Sequence, residues 1–228
     1  LGVAADGVRA VAGSFTAQAY IITDLEDNQI TAFHPGAMGH SHQSHVGDVD
    51  GVRLGIVAPD GRDGMLQHAA EFRAAKIPFV LDPGQAMTLF SGDELVDMID
   101  AATVVAVNDY EARLIAERTG LTIEAIARRV EALVVTLGAE GSRIHVGGAT
   151  IHVPAVRPSA LVDPTGCGDA HRAALLYGMA QGWDGQKTGR LGSLLGSIKI
   201  AARGGQNHAV DRDLVAAMYA KEFGSNPW

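Results

Sequence analysis

Short β-branched apolar runs alternate with helix-patterned segments along most of this chain. That alternation restricts it to a mostly parallel sheet with helices on both faces, a three-layer α/β/α fold. Residues 52–57, 78–81, 103–107 and 133–137 read as buried strands. Between the first two, residues 64–76 carry Met65, Ala69, Phe72 and Ala75 at helical spacing. Ser91 followed by Glu94 is a capping box that starts another helix. A further helix is expected over 109–119, stopped by Gly120. Residues 143–146 and 150–153 flank Gly147-Gly148, which predicts a hairpin. Helices are expected over 168–181, 186–203 and 211–223. Upstream, 16–23 and 30–35 read as two strands joined by a polar turn at 24–29. There is no internal repeat.

The chemistry is concentrated where strands give way to helices, the place where such sheets bind ligands. Asp163-Pro164-Thr165-Gly166-Cys167-Gly168-Asp169 leads straight into the helical pattern Ala170, Ala173, Ala174, Leu175, Leu176, Met179. Gly166, Cys167 and Gly168 leave backbone N–H groups open at a helix start, which favours an anion. Asp169 at that spot is poorly suited to hold phosphate. It is well suited to take a proton from a hydroxyl that attacks phosphate. The plain alternative is a Gly-rich turn in which Asp169 caps the helix. Asn108-Asp109-Tyr110-Glu111, Thr136-Leu137-Gly138-Ala139-Glu140-Gly141 and Asp82-Pro83-Gly84-Gln85 follow other strands and are expected to face the same cleft.

Together these segments resemble the ribokinase-like (PfkB) carbohydrate kinase family over nearly the whole chain. Asp163 to Asp169 resembles its Asp-Thr-x-Gly-Ala-Gly-Asp signature, with Pro164 and Cys167 as departures. Asn108 to Glu111 resembles its Asn-x-x-Glu motif, and Thr136 to Gly141 its nucleotide loop. The resemblance implies an ATP-dependent kinase with Asp169 as general base. The amides near Gly166, Cys167 and Gly168 would hold the developing charge. Asn108 and Glu111 would hold Mg²⁺ through waters. Thr136, Gly138 and Gly141 would approach ATP, with Thr165 and Gly204 completing the nucleotide side. Ala202-Arg203-Gly204-Gly205 would line the adenine pocket and, with oxygens of Asp163 and Thr165, a K⁺ site; a helix C-cap at Gly204 is the plain alternative. Arg172, three residues after Asp169, would meet a phosphate or form a surface salt bridge. His171 would be a packing or pocket residue.

The acceptor implied is a nucleoside phosphorylated at its 5′-hydroxyl, because Gly-Cys-Gly-Asp-Ala-His-Arg-Ala and the Asp82 to Gln85 turn resemble the bacterial nucleoside and adenosine kinase branch. A ribose- or fructose-type sugar kinase is the alternative within the family. A catalytically silent nucleotide-binding protein is the alternative outside it. The chain opens without Met and without the Gly-Gly and Asn substrate motif that the resemblance implies. A single kinase domain over 1–228, incomplete at its N-terminus, is therefore expected, with 16–35 contributing lid strands and a homodimer paired through them.

Composition removes other classes. The formal charge of −8 disfavours a nucleic acid duplex or an anionic membrane as partner. The apolar fraction of 47% is that of an ordinary globular chain. One cysteine excludes an intrachain disulfide and suits a reducing cytoplasm. His34, His40, His42 and His45 could be imagined as a zinc site, but no Cys lies near, and a polar loop beside the acceptor pocket is the expectation.

Overall fold

The computed structural model describes residues 4–5, 7–23 and 29–228. Among them, six strands form one sheet in the order β3 (Gly55–Val57), β4 (Phe79–Leu81), β5 (Val104–Asn108), β6 (Ala132–Thr136), β7 (Ser142–Val146), β8 (Ala149–Val153). The first four run parallel; β7 and β8 are antiparallel. A separate antiparallel pair is formed by β1 (Gln18–Thr23) and β2 (Gln29–His34). The turn expected at 24–29 lies, up to residue 28, outside the described residues.

The strands sort their side chains with period two. Leu81, Val105, Val107, Leu133 and Val135 join one core with Met65, Leu95, Ile99 and Ile115. Those four come from α1 (Arg62–Ala75), α2 (Gly92–Ala101) and α3 (Asp109–Thr119). Val80, Val104, Ala106 and Val134 point the other way, toward Leu175 of α5 (Cys167–Ala180). A third cluster joins α5 to α6 (Gly185–Ile200) and α7 (Arg212–Phe223) through Ala174, Leu191, Leu194, Val215 and Tyr219. Phe79, Leu81 and Leu133 have no exposed surface, and each contributes about 1.5–3 kcal/mol. The expected three-layer α/β/α fold is therefore the observed one.

Local signals set most boundaries. Ser91 caps α2 with reciprocal bonds to Glu94. Gly120 ends α3 in the left-handed region at φ 68°. Gly147 and Gly148 both have positive φ, as a two-residue hairpin turn requires. Three features escaped the sequence reading. The edge strand begins at Gly55 rather than 52. A short helix, α4 (Ile123–Ala127), starts at a Thr122 cap. Helix α6 stops at Ile200 rather than 203, because the Ile200 carbonyl accepts the N–H groups of Val162 and Asp163 instead of one further along a helix.

Histidines 40 and 42 lie in a 3-10 helix, Gly36–Gln43. His45 pairs with Glu71 at 2.6 Å, a contact that raises the imidazole above its usual range. Among the described residues no helix is long and apolar enough to cross a membrane, and no group of three His, Cys, Asp or Glu is arranged to hold a metal.

Helices α5 and α6 approach closely because Gly178 faces Thr188. A Cβ at Gly178 would press into the Thr188 side chain. Gly178→Val is expected to destabilise the fold by about 1–3 kcal/mol through overpacking. The urea midpoint measures this; an unchanged midpoint would show that the two helices slide apart freely.

Candidate active site

Parallel strands deliver their C-terminal ends to one rim, and the loops there enclose a cleft of about 950 Å³. Asp82 comes from the end of β4, Asn108 and Glu111 from the β5–α3 junction, Thr136 and Gly138 from the end of β6. Gly168 and Asp169 come from the start of α5. Thr31, Phe33 and Met38 approach from the side of β2. The four loops singled out in the sequence thus meet at one place.

The α5 start is shaped by Gly166, which sits in the left-handed region at φ 85°. A side chain there would crowd Gly205 and the Lys199 stem. The turn before it is tied by Asp163. One carboxylate oxygen accepts the Thr165 N–H at 2.9 Å, the other the Gly204 N–H at 2.7 Å. These bonds hold the Asp163 carboxyl down at about 2. The expected trio of free amides needs one correction. The Cys167 N–H donates to the Pro164 carbonyl at 3.1 Å, and Ala170 N–H returns to Gly166. Within this turn, the N–H groups that find no acceptor among the described residues are those of Gly166, Gly168 and Asp169. Asp169 itself is exposed at the cleft, not sunk in the interior.

Asn108 and Glu111 form a reciprocal capping box at the start of α3. Each side chain accepts the other's backbone N–H at 2.7 Å. The motif therefore has a structural duty as well as its place in the cleft. Glu111 is half-buried, and burial pushes its carboxyl above the usual range, with Asp82 adding to the rise. A carboxylate under that strain welcomes a cation. Glu111 retains its other carboxylate oxygen, and the Asn108 amide oxygen a second lone pair, so the donor set suits a partly hydrated Mg²⁺.

Arg172 is not a surface residue, although it reaches the wall of the cleft. Its Nε donates to Asp82 at 2.9 Å and a second nitrogen donates to the Ala106 carbonyl at 3.2 Å. Both partners of the pair are largely buried, at 8% and 13% side-chain exposure. It fastens α5 to the ends of β4 and β5. His171 is fully packed against Gly192, without a hydrogen-bond partner, and burial lowers its imidazole to about 4. Gly141 lies outside the cleft lining. It closes the loop after β6 against the Val153 and Pro154 backbone at φ 93°.

One residue escaped the sequence reading altogether. Lys199, in the last turn of α6, has no exposed surface. Its ammonium donates to the Asp163 carbonyl at 3.0 Å and the Ala202 carbonyl at 3.1 Å. A signal was present: Lys199 falls on the same stripe of α6 as Thr188 and Gly192, both buried.

The pattern described as pfkB family carbohydrate kinase matches residues 1–212. A nucleoside kinase of Methanocaldococcus jannaschii is 29% identical over 206 residues, 90% of this chain and 68% of that protein. A nucleoside kinase of Methanothermobacter thermautotrophicus is 25% identical over 230 residues, 99% of this chain and 74% of that one. Among solved structures, the nucleoside kinase of Burkholderia thailandensis in complex with inosine superposes with a TM-score of 0.96 at 47% identity. The match covers 99% of this chain and 74% of that one. Its complex with ADP-inosine gives 0.95, also at 47%.

Removing Arg172 strands Asp82 in a poorly hydrated position beside Glu111. Arg172→Ala is expected to cost about 3–5 kcal/mol, as for other broken buried pairs, whereas replacing both partners by apolar residues costs less. Equilibrium unfolding of the single and double variants measures the difference. Equal losses would mean that the pair carries no such coupling.

Proposed function

This chain belongs to the pfkB family of carbohydrate kinases, and we propose that it transfers the γ-phosphate of ATP to the 5′-hydroxyl of a nucleoside. The observation that carries the reading is the convergence of the exposed Asp169 carboxylate, the unpaired amides of Gly168 and Asp169, and the Asn108–Glu111 pair on one cleft. The nucleoside kinases among its relatives, and inosine in the Burkholderia structure, favour a nucleoside over a free sugar.

Asp169 is the general base. Its carboxylate takes the proton of the acceptor hydroxyl as that oxygen bonds to the γ-phosphorus. The bond from phosphorus to the β–γ bridging oxygen breaks, ADP leaves, and the proton stays on Asp169 until it returns to solvent. The amides of Gly166, Gly168 and Asp169 stabilise charge on the phosphoryl oxygens, aided by the positive end of the α5 dipole. Cys167 contributes its small size and not its N–H. Thr136 and Gly138 form the wall against which ATP lies. Asn108 and Glu111 would hold Mg²⁺, which would offset phosphate charge. The buried Arg172–Asp82 pair keeps the α5 start in register with the strand ends.

The pair β1–β2 acts as a lid and as a dimer surface. Thr31 and Phe33 line the cleft on one side. On the opposite side Tyr20, Ile22 and Ile30 are 61%, 73% and 74% exposed. So much bare apolar surface on a two-stranded sheet suits a second copy. Sedimentation of the wild type should give a dimer, and Ile22→Glu a monomer; a monomeric wild type at micromolar concentration would end this part of the reading.

Asp169→Asn should lower kcat by roughly 10²–10⁴ while leaving ATP binding nearly unchanged. The assay pairs ATP with adenosine, inosine, ribose and fructose in turn. Phosphorylation of the sugars alone would move the acceptor to that class. Full turnover by the Asn variant would remove the base.

A further inference from the structure

The loop that cradles the open amides is held from beneath by a positive charge that belongs to the chain. Lys199 reaches the carbonyls of Asp163 and Ala202 from the last turn of α6, wholly out of contact with solvent. Its stem runs directly under Gly166, so near that a Cβ on the glycine would lie 3.4 Å from the Lys199 Cε. One end of this small cluster is thus the start of α5, and the other is the segment following α6.

Of the groups that the family resemblance would give to K⁺, the oxygens of Asp163, Ala202 and Arg203 are already engaged, and so is the neighbouring Ile200 carbonyl. Both carboxylate oxygens of Asp163 accept backbone N–H groups, from Thr165 and from Gly204. The Ile200 carbonyl accepts two N–H groups, from Val162 and Asp163. The Arg203 carbonyl accepts the Asn207 side-chain amide. The Asp163 and Ala202 carbonyls hold the lysine. A metal ion entering here would displace donors already in place, and would meet an ammonium at close range.

We propose that Lys199 is the built-in cation of this cradle: through the Asp163 and Ala202 carbonyls it holds the anion-binding turn in shape, and phosphoryl transfer runs without a monovalent metal ion. An ammonium with three N–H donors and one positive charge can bridge carbonyls from two segments as an alkali ion does. Because it is covalently attached, it is always present, and the turn need not wait for an ion to bind. Its charge also adds to the positive potential of the α5 N-terminus, where phosphoryl oxygens arrive. Lys199 is a positioning residue, since it touches the turn and not the substrates. The proposal rests on the phosphotransfer reading above for its kinetic consequence, and on the geometry alone for its structural one.

The test compares wild type, Lys199→Ala and Lys199→Met in potassium, ammonium, sodium or choline chloride at one ionic strength, reading kcat and thermal midpoint. Wild type should show the same kcat and midpoint in all four salts. Lys199→Ala should lose about tenfold or more in kcat, with KM for ATP less affected, since the turn acts on developing charge. Potassium or ammonium, but not choline, should restore part of its activity and raise its midpoint by filling the vacated space. Lys199→Met, whose stem keeps that space filled, should be impaired and indifferent to salt. Activation of the wild type by potassium over choline, or full activity of Lys199→Met, would overturn the proposal. If neither variant folds, the wild-type response to salt decides alone. If no acceptor is phosphorylated in any salt, the phosphotransfer reading fails while the midpoints still test the built-in cation: potassium raising the wild-type value overturns it, and potassium raising only that of Lys199→Ala supports it.

Discussion

Three amides that no carbonyl among the described residues reaches set the terms for everything around them. The N–H groups of Gly166, Gly168 and Asp169 stay open because α5 begins in a left-handed glycine turn, and the helix supplies no acceptor to its own first residues. Unpaired donors are costly in a dry interior, so this turn must lie at a surface that water or an anion can reach. The parallel sheet supplies such a place at the rim where its strands end. There β4, β5 and β6 release their loops toward the same cleft.

Charge is arranged around the amides in two layers. Asp169 lies exposed at the cleft, while Glu111 is held above its usual range by burial and by Asp82. Beneath, Arg172 and Lys199 are buried cations, each tied to backbone carbonyls. Arg172 pairs with Asp82 and in part offsets its effect on Glu111. Asp163 is different again: its two backbone bonds keep it firmly ionised and give it to the architecture rather than to chemistry. Carboxylates within a few residues of each other thus hold separate roles because their hydrogen bonds differ.

Much of this was legible in the residues. The continuous apolar run of Val104 to Val107 and the helical spacing of Met65, Ala69 and Phe72 indicate a buried strand covered by helices. Capping residues Ser91 and Gly120 mark helix ends because their chemistry is local. The loops after the strands could be assigned to one rim from chain order alone. Long-range partners were not legible. Nothing near Arg172 in sequence announces Asp82, ninety residues away, so the sequence alone does not show the buried pair. The loss of the Cys167 amide to Pro164 depends on turn geometry that composition does not encode. Lys199 was overlooked because a single lysine on a small-residue stripe is ordinary until its burial is known.

The central claim is geometric: the open amides and the Asp169 carboxylate flank the line along which a phosphoryl group meets a hydroxyl. A crystal structure with inosine, ADP and a trigonal fluoride mimic of the transferring group tests it most directly. The account predicts the mimic's equatorial atoms against the N–H groups of Gly166, Gly168 and Asp169, and the 5′-oxygen within hydrogen-bond reach of the Asp169 carboxylate. Phosphates bound away from the start of α5, or a 5′-oxygen turned from Asp169, would contradict it.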